Sequence, residues 1–151
     1  MIRKSDFKAA WWLANPHAQT IFPSLVKIDD PPVTKIEQLN LPDGDFINLA
    51  WAEGELHADS PLVIIVHGLC GGLKSSYVPR LMNALNQQGY RVVLMHLRGA
   101  GDTPNRTLKA YHSGDTDDLD YFLKQLTQGI VLTYISLIDI CVCILYGAIV
   151  E

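Results

Sequence analysis

Leu62-Val63-Ile64-Ile65-Val66-His67-Gly68 decides the fold: five apolar residues, four of them β-branched, run without interruption into a histidine and a glycine. A strand with one wet face alternates apolar and polar side chains, whereas a strand covered on both faces of a parallel sheet reads as a continuous apolar run. A second such run follows at Tyr90-Arg91-Val92-Val93-Leu94-Met95. Between the two, Ser76–Gln88 carries Tyr77, Leu81, Ala84 and Leu85 at near-helical spacing, and Gly89 stands where a helix would stop. The pattern predicts a strand–helix–strand crossover, with Leu62–Val66 and Val92–Met95 adjacent and parallel in the middle of a sheet.

Upstream, Ile36–Leu41 and Phe46–Trp51 flank Pro42-Asp43-Gly44-Asp45, whose turn chemistry predicts a β-hairpin. Pro31-Pro32 separates this hairpin from an N-terminal stretch in which Phe7, Ala10, Trp11, Leu13 and Ala14 suggest a short helix ended by Asn15-Pro16 and followed by an irregular arm. Downstream, Leu119, Phe122, Leu123 and Leu126 mark the buried face of a helix over Gly114–Gln128, with Asp115, Asp117 and Asp118 crowding its electropositive start. A further strand is expected over Ile138–Val142. The chain therefore divides into an N-terminal helix and arm (1–33), an α/β body (34–128) and an apolar tail (129–151). Its fold class is α/β, with a mostly parallel central sheet and an N-terminal β-hairpin.

Composition narrows the function classes. The 151 residues hold 16 acids against 12 bases, a formal charge of −4, so no basic footprint points to nucleic acid. Three cysteines form no paired framework, and the start of the chain has no uninterrupted apolar core of signal-peptide length; a cytoplasmic protein is expected. The alternative is membrane association through 129–150, where Asp139 is the sole charge in 22 residues. Asp139 near the middle of that segment, the lack of an adjacent basic cluster and the β-branched content all weigh against a spanning helix.

Two loops at strand ends are the places to look for chemistry, because open α/β sheets keep their sites there. The first, His67-Gly68-Leu69-Cys70-Gly71-Gly72, is glycine-rich enough to aim backbone N–H groups at an oxyanion, or to serve only as a tight strand-to-helix turn. In the second, Met95–Asp102, Arg98 and Asp102 are expected to brace the loop as an ion pair. His112, Ser113 and Asp115 lie too close together along the chain to face one another as a triad, and Ser113 is a better helix cap than nucleophile.

The blocks Asn15-Pro16-His17-Ala18-Gln19-Thr20, Leu41-Pro42-Asp43-Gly44-Asp45-Phe46, His67-Gly68-Leu69, His96-Leu97-Arg98-Gly99 and Pro104-Asn105-Arg106, with Tyr111-His112-Ser113-Gly114, resemble the N-terminal portion of a YheT-like α/β-hydrolase, an esterase subfamily. Their order spans about residues 11–126. The resemblance implies an α/β-hydrolase sheet in which His67 and Gly68 support a loop whose Leu69 N–H donates to the oxyanion. It also implies a nucleophilic serine on a Gly-x-Ser-x-Gly elbow, with the acid and histidine later in the chain.

The sequence departs from that pattern at the elbow. Cys143-Ile144-Leu145-Tyr146-Gly147 has the five-residue frame with leucine at the nucleophile position, and Cys143 lies two positions early, where a small buried hydrophobe is expected rather than a thiolate. Leu145 cannot attack a carbonyl. The expectation is an incomplete α/β-hydrolase fold, truncated or frame-altered after Gln128, with no catalytic residue intact, no metal and no cofactor. Its intact relatives would act on a small ester or acyl substrate. A non-catalytic binding or interaction module and a tail-anchored protein are the alternatives, and an exposed sheet edge is the expected route to self-association.

Overall fold

The computed structural model describes residues 7–25, 30–52, 60–68, 71–112, 114–129, 135–139 and 145–148. The two apolar runs are strands β3 (Leu62–Val66) and β4 (Arg91–Met95), every residue of both buried. They pair in parallel, with Ile64 opposite Val93, as the sequence predicts. Each Val, Leu or Ile buried here contributes roughly 1.5–3 kcal/mol relative to exposure. Helix α2 (Val78–Gln87) makes the crossover. It ends in a Schellman cap: Gly89 at φ 86° lets its own N–H reach Asn86 O at 3.0 Å while the Tyr90 N–H reaches Leu85 O at 3.1 Å.

Strands β1 (Lys35–Asn40) and β2 (Phe46–Ala52) form the expected hairpin, closed by Leu41 N–H to Asp45 O at 2.8 Å with Gly44 at φ 85°. Strand β2 also pairs with β4, antiparallel, and β5 (Ile135–Asp139) pairs with the other side of β3 in parallel. Strand β6 (Leu145–Ala148) returns antiparallel on β5, giving a six-stranded sheet in the order β1-β2-β4-β3-β5-β6. The sheet is thus mixed rather than mostly parallel. Only the pairings of β3 with β4 and with β5 are parallel, because the hairpin strand β2, not a crossover strand, flanks β4.

The period-two alternation of the strands sorts two cores onto opposite faces. Ile47, Leu49, Leu62, Ile64, Val93 and Met95 pack with Phe122 and Leu126 of helix α3 (Asp117–Gly129). On the other face, Ala50, Val63, Ile65, Val92 and Leu94 pack with Val78 and Met82 of α2. The result is three layers.

The N-terminal region differs from expectation. Trp11–Leu13 is a single 3₁₀ turn, and helix α1 (Pro16–Leu25) begins where a helix was expected to end. Asn15 accepts the N–H of His17 at 2.9 Å and of Ala18 at 3.3 Å on its Oδ1, so Asn15-Pro16 is an N-cap followed by a proline at the first helical position. The tail also differs. The strand begins at Ile135, three residues before the expected Ile138, and Leu145 opens β6 instead of sitting at a strand-to-helix turn. Among the described residues no helix is long and apolar enough to cross a membrane.

Candidate active site

His67 follows β3 directly and is buried. Its Nε2 lies 3.1 Å from the Leu97 N–H, which can only donate, so Nε2 accepts and the ring proton sits on Nδ1, 2.8 Å from Gly68 O. Burial holds the His67 pKa below the ordinary histidine value, against the hydrogen bond to Gly68, which favours the cation. A neutral ring with both nitrogens engaged is a clamp between the loops after β3 and β4. It ties Gly68 to the loop after β4 and has no free lone pair for proton transfer.

The glycine loop is less open than its composition suggests. The amides of Gly68, Gly71 and Gly72 donate to Tyr77 Oη (3.4 Å), Gly68 O (2.8 Å) and Ser75 Oγ (3.0 Å) respectively. Leu69, the expected oxyanion donor, and Cys70 lie outside the described residues. Among the described residues of this loop, then, the N–H groups serve the turn itself. Leu145 is in β6, and Ser113 lies outside the described residues. His112 accepts the Gly114 N–H on Nδ1 at 3.2 Å and Asp115 lies 3.8 Å from Lys109, so these neighbours form no relay with each other.

Arg98 does brace its loop, but not with Asp102. Its guanidinium takes Asp118 at the start of α3 through Nε and Nη2 at 2.6 and 2.7 Å, Asp43 through Nη1 at 2.6 Å, and Asp45 at 3.4 Å. Asp102 pairs instead with Lys74 at 2.8 Å, both side chains exposed. The reason is geometric: Arg98 points into the seam between the hairpin turn and α3, where three carboxylates converge, while Asp102 faces outward. Asp45 is fully buried and accepts from the N–H groups of Phe46 and Arg106, from Asn105 Nδ2 and from Thr107 Oγ1. Burial pushes the Asp45 carboxyl up, but these donors outweigh it and hold the group well below the usual carboxylate range. Asn105 also receives the Gly99 N–H at 2.6 Å and donates to Phe46 O at 2.7 Å. Asp45, Asn105 and Asp118 were not singled out from the sequence. The signal was present in the blocks Leu41–Phe46, His96–Gly99 and Pro104–Arg106, which meet in this one network.

His96 follows β4 and is 7% exposed. It lines a cavity of about 620 Å³ between the β1–β2 hairpin and the segments 71–75 and 100–103, with Asn48, Ser75 and the Lys74–Asp102 pair around it. Burial and the neighbouring His67 hold the His96 ring toward its neutral form.

Residues 61–132 match the family model described as the alpha/beta hydrolase fold. The protein named "Putative esterase YheT" of Escherichia coli (strain K12) is 40% identical over 116 residues, which are 76% of this chain and 34% of that protein. The chain belongs to the α/β-hydrolase fold family. A second relative of this α/β-hydrolase chain, the embryogenesis-associated protein EMB8 of Picea glauca, is 30% identical over 124 residues, 76% of this chain and 27% of that protein. The chain thus spans 34% of the length of the first relative and 27% of the second. Among solved structures, an alpha-beta serine hydrolase homologue from Coxiella burnetii superposes with a TM-score of 0.58 at 20% identity, covering 71% of this chain and 51% of that one. That likeness is one of fold.

Proposed function

We propose that this α/β-hydrolase chain supplies the N-terminal strands and the oxyanion-side loop of a carboxylic-ester hydrolase, and that residues 1–151 alone do not turn over esters. The observation that carries the reading is the strand order β2-β4-β3-β5 with the His67-Gly68 loop at the carboxyl end of β3, in a chain 40% identical to a protein named an esterase. On this reading Leu69 N–H donates to the oxyanion, and His67 and Gly68 hold the loop. The donor stabilises charge only after a nucleophile has attacked. None of the serines in the sequence has glycine two positions before and two positions after it, and Leu145 stands in the elbow frame. The two described histidines of the strand-end loops are buried and held neutral, and among the described residues no carboxylate is hydrogen-bonded to either ring.

The test is a pair of experiments. Residues 1–151 incubated with a fluorophosphonate probe and with short-chain p-nitrophenyl esters should give no labelled serine and no turnover above a heat-treated control. A chimaera in which residues 11–126 replace the matching segment of E. coli YheT should hydrolyse whichever of those esters the parent hydrolyses. Labelling of Ser75, Ser76, Ser113 or Ser136, or a folded chimaera inactive beside an active parent, would overturn the proposal. Self-association of the isolated chain belongs to the same reading, since Trp11 and Leu25 of the arm are 91% and 77% exposed. Sedimentation velocity reads it directly.

A further inference from the structure

The cavity beside His96 has a directional feature that the hydrolase reading does not use. The His96 Nδ1 lies 3.3 Å from Asn48 O, and a carbonyl can only accept, so in the neutral ring the proton is on Nδ1 and the lone pair is on Nε2. Among the described residues nothing donates to that nitrogen. A histidine more than nine-tenths buried thus turns an unpaired acceptor toward a space of about 620 Å³. Gly72 keeps the approach open: a Cβ there would lie 3.7 Å from His96 Cδ2 and 3.9 Å from Nε2, close enough to cover the nitrogen without a clash. The remaining lining mixes apolar side chains, Ile36, Leu73 and Ala100, with neutral polar ones, and is short of uncompensated charge. Asn48, Ser75 and Thr103 offer neutral groups, and Lys74 and Asp102 neutralise each other at the rim.

From this geometry we propose that the cavity is a subsite for an uncharged hydroxylated group, whose O–H donates to His96 Nε2. It rests on the hydrolase reading only in naming the source of that group, the alcohol half of an ester carrying further hydroxyls. An acceptor on the wall of this half-open space selects a donor. Among the described residues the wall has no free cation, which disfavours phosphate or carboxylate, and an ester whose alcohol half carries no further hydroxyl would offer the nitrogen no donor.

The experiment reads binding apart from turnover. Ring ¹⁵N spectra of the full chain are recorded with glycerol monobutyrate, with glycerol and with methyl butyrate. The expected result is a saturable shift of the His96 Nε2 resonance with the two hydroxylated probes, and none with methyl butyrate. Gly72→Ala should weaken the apparent affinity by about fivefold, the scale of one hydrogen bond, while leaving the melting temperature unchanged. His96→Phe, which keeps the ring and loses the acceptor, should abolish saturable binding by calorimetry. Absence of a shift with either hydroxylated probe, an equal shift with methyl butyrate, or unchanged affinity in a folded Gly72→Ala protein would overturn the subsite. Ester turnover does not enter any of these readouts, so the subsite and the hydrolase reading fail separately.

Discussion

The guanidinium of Arg98 and the carboxylate of Asp118 meet through two hydrogen bonds, Nε to Oδ2 at 2.6 Å and Nη2 to Oδ1 at 2.7 Å, with both side chains under a tenth exposed. This fork locks the loop after β4 to the first turn of α3, and the third nitrogen of the same guanidinium holds the hairpin turn through Asp43. Three elements distant in sequence are therefore fastened at one side chain.

Removing one member of a buried ion pair leaves the other charged and unsolvated, a cost of roughly 3–5 kcal/mol. Arg98→Ala should lower stability by about that amount in urea unfolding. Arg98→Lys keeps the charge but loses the planar fork, and should still cost about 2 kcal/mol. Equal stability of Arg98→Lys and the parent would show that the fork contributes nothing beyond charge.

Asp45 makes the network pH-dependent. Its folded pKa lies below the unfolded carboxylate value, so the folded state binds fewer protons and the contribution is fully present above that unfolded value, about 3.9. It is lost as pH falls from about 5 toward the folded pKa. Asp45→Asn retains one acceptor oxygen and removes the titration, so its stability at pH 7 should fall by about 1–3 kcal/mol while its curve between pH 5 and 2 becomes flatter than the parent's. Parallel curves would exclude Asp45 as a source of acid sensitivity.

What was legible in the sequence follows from the range of the interactions. Strands β3 and β4 are runs whose burial is local information, since every position is apolar, and α2 ends at a glycine that only a left-handed cap requires. Pro42-Asp43-Gly44 likewise determines its own turn. Helix α1 was misread because proline stops one helix and starts another, and only the cap on Asn15 Oδ1 distinguishes the two. The partner of Arg98 was misread because the choice among four nearby aspartates depends on how hairpin and helix dock. Asp118 lies 20 residues from Arg98, and Asp43 lies 55. The antiparallel docking of β2 on β4 is long-range in the same sense, and it is what makes the sheet mixed.

His67 carries a second pH dependence, at higher pH. Burial holds its folded pKa below the unfolded value of about 6.5, so its contribution is present above that value and is lost as pH falls through it. His67→Phe leaves the Leu97 N–H without an acceptor and should cost roughly 1–3 kcal/mol at pH 7.5. The variant should also show a shallower decline in melting temperature between pH 7 and 5. A decline as steep as the parent's would assign that range to another group.

Gly71 and Gly72, adjacent in the loop after β3, provide the sharpest contrast. A Cβ on Gly71 would lie 2.8 Å from Gly68 O and 3.1 Å from the His67 Cβ, and the first of these is a backbone atom held in the same turn by the Gly71 N–H. Gly71→Ala must therefore open the turn that His67 clamps, at a cost of roughly 1–3 kcal/mol typical of overpacking. One residue on, a Cβ on Gly72 meets Ala100 O at 3.5 Å and the His96 ring beyond it, all at ordinary contact distance. Gly72→Ala should stay within about 0.5 kcal/mol of the parent. Urea unfolding of the two variants side by side checks this, and equal losses would mean that glycine is needed at both positions for backbone freedom rather than for room at one.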